Sequence, residues 1–463
     1  MVFLPFLGQQ RDIVSREWRH AEVAREMLVS GDYLVPQLFG APYPDKPPMM
    51  YAAIALTYSL AGHASLELAR LPSVAAAIIG AVCVYWIGIV LSGRTAGLLA
   101  AFGLMGVQGY SYMARSARPD MILTMLVLLS CLAGVLGMRS RGGRRALWLV
   151  CSGICGGLAL LTKGPLGIAF AVIAIALLPS GSKSLRRLSA WDWTLLIVAS
   201  IGVAAAWALP VYLRDHGTYL LAMLTQPDLS LHPDRTSRHF YYYLAYYLVP
   251  VTIGFLPLTL LAPAVVRDVL RRGWSPALKI GVAFFFLLSV LPKKRPHYAL
   301  PILPFLALAV ADATVEFNRR GVLRFAQILI ALSLGAGPLY FAAIQPYLTP
   351  IRSAGAAFAD SMAKLIEPHR TVVAIDDIVE PLAFMGYAGR MVESDGVDHA
   401  VTALCAGGKG SYLLISSEAS AQDQLRIQQG IAKLPLKPVL QGRLPEPVGK
   451  RYWQVYQLGA ACD

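Results

Sequence analysis

Between residues 70 and 344 the chain alternates long apolar runs with short, mostly basic turns, and most of the runs have membrane length. A spanning helix needs about 20 mostly apolar residues, somewhat fewer where its ends are buried in protein. By that measure the pattern predicts ten spans, at about 70–92, 95–112, 120–138, 146–161, 164–179, 193–213, 241–265, 279–291, 297–312 and 322–344. The rhythm changes on either side. Arg19–Met27 and Met49–Gly62 predict amphipathic helices at the membrane surface, and Val2–Leu7 reads as the end of a truncated first span, the alternative being an N-terminus translocated unaided. Beyond residue 350, short β-like runs at Thr371–Ile375, Ser411–Ile415 and Tyr452–Tyr456 alternate with helical patterns and predict a soluble α/β domain. The expected fold is an all-α polytopic membrane bundle over 70–344, with an outer first loop and juxtamembrane helices over 1–69 and the α/β domain over 350–463.

Composition agrees. Of 463 residues, 56% are apolar and 15% charged, with mean hydropathy +0.55, whereas ordinary soluble domains carry about 25% charged residues. These figures exclude disorder, a collagen-like repeat and a small disulfide scaffold. The net charge of +14 would suggest nucleic acid, but residues 350–463 hold 11 Lys/Arg and 12 Asp/Glu, so the excess sits between the apolar runs. There it sets topology and meets anionic lipid. Fifteen basic residues fall in alternate turns: Arg94; Arg139, Arg141, Arg144 and Arg145; Lys183, Arg186 and Arg187; Arg267, Arg271, Arg272 and Lys279; Arg319, Arg320 and Arg324. Those turns are assigned inside, which leaves 1–69 and the tail outside. Of six scattered cysteines, Cys83, Cys131, Cys151 and Cys155 lie in apolar runs, and Cys151 and Cys155, one helical turn apart with no second pair nearby, read as small packing residues over metal ligands.

The candidate chemistry lies in charges on the opposite side. They form clusters at Arg16–Arg25 with Glu17 and Glu22, at Asp45-Lys46-Pro47-Pro48, at Arg115–Asp120 with Arg118, and at Lys293-Lys294-Arg295, with Lys163 beyond them. Each has an ordinary explanation: snorkelling, a surface ion pair, or an acid at a helix start. Their shared side favours a site, because charge at membrane depth is costly. Carboxylates among several cations suit one chemistry, with a general base for an acceptor hydroxyl and Lys/Arg for an anionic phosphate leaving group.

Several stretches carry a family resemblance. Glu17–Met27, Ser30–Pro36 and Pro42–Pro48, then Ala69–Ser73, Ala117–Met121, Leu161–Pro165 and Tyr298–Pro304, together resemble lipid-linked-sugar glycosyltransferases. The pattern is similar to that of bacterial aminoarabinose-to-lipid A transferases and their protein O-mannosyltransferase relatives, over about 300 residues in the same order. The resemblance implies a GT-C membrane bundle and a polyprenyl-phosphate sugar donor. It implies that Asp120 is an essential loop aspartate, that Asp45 stands where the family usually has glutamate, and that Lys46 and Tyr298 contact phosphate. Arg16-Glu17 replaces the family's common Asp-Glu, which leaves the base open between Asp120 and Glu17. Some relatives bind zinc through the carboxylate at the Asp45 position and a histidine before an aromatic run. Here His232 and His239 precede Phe240–Tyr243, and they read either as zinc ligands or as interfacial histidines beside an aromatic belt.

The combined expectation is an inner-membrane glycosyltransferase with its site facing the periplasm. Asp120, Glu17 and Asp45 would supply the catalytic carboxylates, and Lys46, Arg118, Lys163, Lys293, Lys294, Arg295 and Tyr298 would hold the donor. The acceptor is left open between lipid, glycan and protein, with zinc the one metal candidate and no nucleic acid. The rival readings are a membrane transporter and a catalytically silent relative that binds lipid or a partner.

Overall fold

The computed structural model describes residues 3–4, 7, 17–178, 185–225, 245–291, 294–317, 320–340, 343, 365–367, 370–375, 391–394, 397–416, 429, 434–438, 444–445, 452–460 and 462. The chain divides into two compact units: Met1–Leu7, Pro44–Ala53 and Arg70–Ala342 form one, and Gly8–Tyr43, Ile54–Ala69 and Ala343–Asp463 form the other. Its helices begin with α1 (Glu17–Ser30), α2 (Met49–Ala61), α3 (Leu66–Ser92), α4 (Arg94–Gly106) and α5 (Gln108–Ala114). They continue with α6 (Pro119–Arg139), α7 (Gly142–Lys163), α8 (Pro165–Leu177), α9 (Ala190–Asp215) and α10 (Thr218–Thr225). Then follow α11 (Leu248–Gly254), α12 (Ala262–Arg272), α13 (Pro276–Val290), α14 (Ile302–Glu316), α15 (Arg320–Leu339) and α16 (Val397–Gly407).

Among the described residues, α3, α6, α7 and α9 are each long and apolar enough to cross a membrane alone. Helix α9 leaves Val198, Ile201 and Leu213 largely exposed, an apolar face suited to lipid. The chain is an integral membrane protein. Two expected spans are broken. The run 95–112 divides at Val107, whose extended backbone separates α4 from α5. The run 241–265 is not one helix in its described part. Leu248–Gly254 and Leu258–Arg272 meet at 100°, with Pro257 at the break, where a missing N–H and a fixed φ end helical bonding.

Small residues let the helices of the first unit close. Ser130 and Ser152 exchange hydroxyl-to-carbonyl bonds of 2.9 and 2.8 Å between α6 and α7. A Cβ at Gly153 would stand 2.3 Å from the Leu196 carbonyl oxygen, and one at Gly157 would stand 2.7 Å from that of Ser200, so α7 meets α9 through a small-xxx-small face. Two buried arginines hold the N-terminal segment, Arg70 donating to the Leu7 carbonyl at 2.7 Å and Arg115 to the Phe3 carbonyl at 2.9 Å. Burial, reinforced by Arg70, pushes the Arg115 guanidinium down to about 10.

In the second unit, Glu26 of α1 accepts from the Phe39 and Gly40 amides at 2.6 and 3.0 Å and ties down the turn of the hairpin β1 (Gln37–Leu38) and β2 (Ala41–Pro42). The tail carries a sheet of β3 (Val372–Ile375), β4 (Met391–Ser394), β5 (Tyr412–Ser416), β6 (Leu436–Pro438), β7 (Leu444–Pro445) and β8 (Tyr452–Leu458). Its order is β4-β3-β5-β8-β6, with β7 also on β8. The three expected strands are present, shifted by no more than a residue or two at their ends. Strand β8 is antiparallel to β5, while β3 lies parallel to both β4 and β5. Val373, Leu404, Leu413 and Leu458 build the core under α16, and a Cys405–Cys462 disulfide closes it.

Candidate active site

The site begins with helix lengths. Helices α6 and α7 have 21 and 22 residues and are joined by a turn at Ser140 and Arg141. At 1.5 Å per residue an antiparallel pair so matched brings the start of one beside the end of the other. Asp120 stands in the first turn of α6, behind Pro119 at the first helical position. Lys163 is the last residue of α7, where Gly164, at φ 68°, stops the helix and Pro165 starts α8. Both termini suit the charges they carry, the acid at an N-terminus and the ammonium at a C-terminus. Lys163 Nζ donates to Asp120 Oδ1, with side chains only 6% and 2% exposed.

Further groups converge on this pair from the same unit. Lys163 Nζ lies 3.7 Å from the centre of the Tyr298 ring, a cation–π contact in a desolvated setting. Lys46 and Arg295 add positive charge against the same ammonium. Lys46 bonds to Asp45 through both its carbonyl, at 2.9 Å, and its carboxylate, at 3.1 Å. Arg118, the residue before α6, reaches His297 Nδ1 with Nη1 at 3.5 Å. Burial pushes the His297 imidazole down to about 4, against Asp120 but helped by Lys163, Arg118 and Arg295. Arg118 and His297 also line a cavity of about 850 Å³ whose other walls are mostly apolar, including Val249, Ile253, Leu303 and Leu332.

This architecture has solved counterparts. It superposes on the crystal structure of ArnT from Cupriavidus metallidurans bound to undecaprenyl phosphate with a TM-score of 0.70 at 17% identity, covering 95% of this chain and 93% of that one. The chain has a GT-C fold. In sequence, the GT-C region from 45 to 208 matches the family model described as dolichyl-phosphate-mannose-protein mannosyltransferase. The chain also resembles the undecaprenyl phosphate-alpha-4-amino-4-deoxy-L-arabinose arabinosyl transferase of Pectobacterium atrosepticum, at 30% identity over 64% of this chain and 54% of that one. The enzyme of the same name from Pseudomonas aeruginosa is 29% identical over 66% of this chain and 56% of its own length. The chain thus spans little more than half the length of these curated relatives.

Within the GT-C core the expected residues fall into groups. Asp120, Lys163 and Tyr298 are in contact, Lys46 and Arg295 act on them electrostatically, and Arg118 stands one step away through His297. Lys294 is turned elsewhere, donating to the Leu288 and Ser289 carbonyls at 2.7 and 2.6 Å, where it serves the C-terminal end of α13. Burial brings its ammonium down to about 8. Glu17 opens α1 in the second unit and is 3% exposed. Lys293, His232 and His239 lie outside the described residues. Among the described residues no three His, Cys, Asp or Glu side chains gather to hold a metal, and Asp45 is engaged by Lys46. His297 is the residue that the sequence reading passed over. The available signal was a histidine placed between the cationic triplet and Tyr298, at a depth where polar groups are uncommon.

Proposed function

We propose that this chain is a glycosyltransferase that moves a sugar from a polyprenyl phosphate to a hydroxyl or phosphate of an acceptor. The carrying observation is the buried Asp120–Lys163 pair, with further cations around it and Arg118 and His297 leading to the apolar cavity. A phosphate headed by a long hydrocarbon needs those two environments side by side. The names of the relatives, which are undecaprenyl-phosphate sugar transferases, point to the same donor class.

The donor is a phosphodiester with one negative charge. As it enters, its oxygens compete for Lys163, with Lys46, Arg118 and Arg295 helping to hold them, and Asp120 is released to face the acceptor. The acceptor O–H gives its proton to the Asp120 carboxylate while its oxygen bonds to the anomeric carbon. The bond from that carbon to the phosphate oxygen breaks, and the electron pair leaves on the polyprenyl monophosphate, whose added charge the cations stabilise. The scheme assigns no step to zinc, and His232 and His239, two of the residues expected to bind it, lie outside the described residues.

The site is assigned to the outer face. The fifteen basic residues in alternate turns support this, and so does the Cys405–Cys462 disulfide, a feature of oxidising compartments. The test uses purified protein in proteoliposomes with a polyprenyl-phosphate sugar and, separately, the corresponding nucleotide sugar. Transfer from the lipid-linked donor alone is expected. Robust transfer from the nucleotide sugar would reject the proposal.

A further inference from the structure

His297 was not among the residues expected to act, and its surroundings give it a task. A neutral imidazole has one donor nitrogen and one acceptor, and a guanidinium can only donate. Because Arg118 Nη1 points at Nδ1 across 3.5 Å, Nδ1 is the acceptor and the proton resides on Nε2. Burial together with Lys163, Arg118 and Arg295 keeps the ring neutral, although Asp120 pulls the other way. His297 lines the cavity beside apolar Val249, Leu303 and Leu332 and polar Gln108, Ser111 and Ser333, and Nε2–H is the donor that its bond with Arg118 leaves for a ligand. Asp120, whose charge acts on the ring, has one of its two oxygens taken by Lys163.

We propose that His297 is a phosphate-binding residue of the transfer site, giving its Nε2–H to an oxygen of the lipid-linked phosphate while Arg118 occupies Nδ1. The assignment rests on the polyprenyl-phosphate reading above and adds a neutral N–H donor to a site whose other nitrogen donors are cations. The difference has a use. The phosphate gains a negative charge when the sugar leaves, and a site of cations alone would hold that product hardest. A neutral N–H orients the phosphate in both states without adding charge.

Two side chains separate direct binding from positioning. Glutamine carries an amide N–H close to where Nε2 was, and asparagine carries an oxygen close to where Nδ1 was. In the full-length protein in nanodiscs, the probes are undecaprenyl monophosphate and, as a control lacking the phosphate, undecaprenol. The wild type is expected to prefer the phosphate. His297→Gln should keep that preference within about threefold, while His297→Asn should weaken phosphate binding by roughly 10–100-fold, the worth of one hydrogen bond to a charged group. Undecaprenol affinity should be the same in all three, which reports an intact cavity. An asparagine variant that binds the phosphate as tightly as wild type, or losses that appear equally with undecaprenol, would overturn the role of His297 alone. A wild type that does not distinguish the phosphate from the alcohol would overturn the donor reading and this assignment with it.

Discussion

Each end of the α6–α7 hairpin is closed by an ion pair, and the two pairs differ. At the end with the basic turn, Arg145 of α7 grips Asp192 of α9 through Nε at 2.9 Å and Nη2 at 2.7 Å. Asp192 also takes the Ser189 amide and hydroxyl at 2.7 Å each, completing a capping box. Its lone pairs are committed. At the other end, among the described residues, the Asp120 carboxylate takes one bond, from Lys163, and the cations nearby outnumber the acids. A saturated pair fastens helices together. An unsaturated pair, more deeply buried and surrounded by excess positive charge, is prepared for an anion that is not part of the chain.

The sharpest way to break the comparison is to neutralise one acid from each pair. Asp120→Asn keeps the shape and removes the charge, and sugar transfer in proteoliposomes should fall by about 10²–10⁴-fold, the usual worth of a positioned general base. Asp192→Asn should leave turnover per folded molecule within about threefold, since the Asp192 pair serves packing and not acid–base chemistry. Equal losses of turnover would erase the distinction drawn here.

Stability should respond to breaking either pair. Removing one partner of a buried pair costs about 3–5 kcal/mol, because the remaining charge is left without compensation. Asp120→Asn is therefore expected to lower the thermal midpoint in detergent markedly, and Arg145→Met, which breaks a less buried pair and leaves Asp192 its Ser189 bonds, to lower it by less. Adding Lys163→Met to Asp120→Asn should recover most of that stability and none of the activity. Recovery of both would make the Asp120 pair a strut like the other.

Smaller effects follow from packing and titration. Gly153→Val places a side chain against the Leu196 carbonyl, and overpacking of this kind costs about 1–3 kcal/mol, readable as a lower midpoint for the contact of α7 with α9. His297 gives a pH signature. Its imidazole titrates near 6.5 when unfolded and at about 4 when folded. Between those values the unfolded chain holds more protons, so stability falls as pH drops through that window. The midpoint of the wild type should decline between pH 6.5 and 4 more steeply than that of His297→Asn. Parallel curves would refute the buried, neutral ring.

Much of this was legible in the sequence. Of the ten expected spans, the four long helices α3, α6, α7 and α9 followed from run length, and Asp120 and Lys163 from charge in apolar surroundings. Their contact was implied by two neighbouring runs of nearly equal length, though nothing local announced it. The break at Pro257 was written in the chain but masked by a long apolar run. Strand β4 has only four residues, Met391–Ser394, two of them polar, too few to show a period. Arg70 and Arg115 bond to backbone carbonyls, and that partnership leaves no trace in residue spacing. His297 depends on a neighbour 179 positions away.

The strand order of the tail bears on how the protein is made. Strands β3, β4 and β5 can pair as they emerge, but β6 and β7 find their partner in β8, which follows both in the chain and lies inside the sheet. Among the described residues, two strands have no strand partner until residues 452–458 arrive, so synthesis cannot pair these strands in order. The disulfide then joins Cys405 to a cysteine four residues beyond β8 and locks in the strand that completed the sheet. A nascent chain stalled just before residue 452 would carry both strands without the partner that β8 supplies, and would expose their edges to any chain able to pair with them.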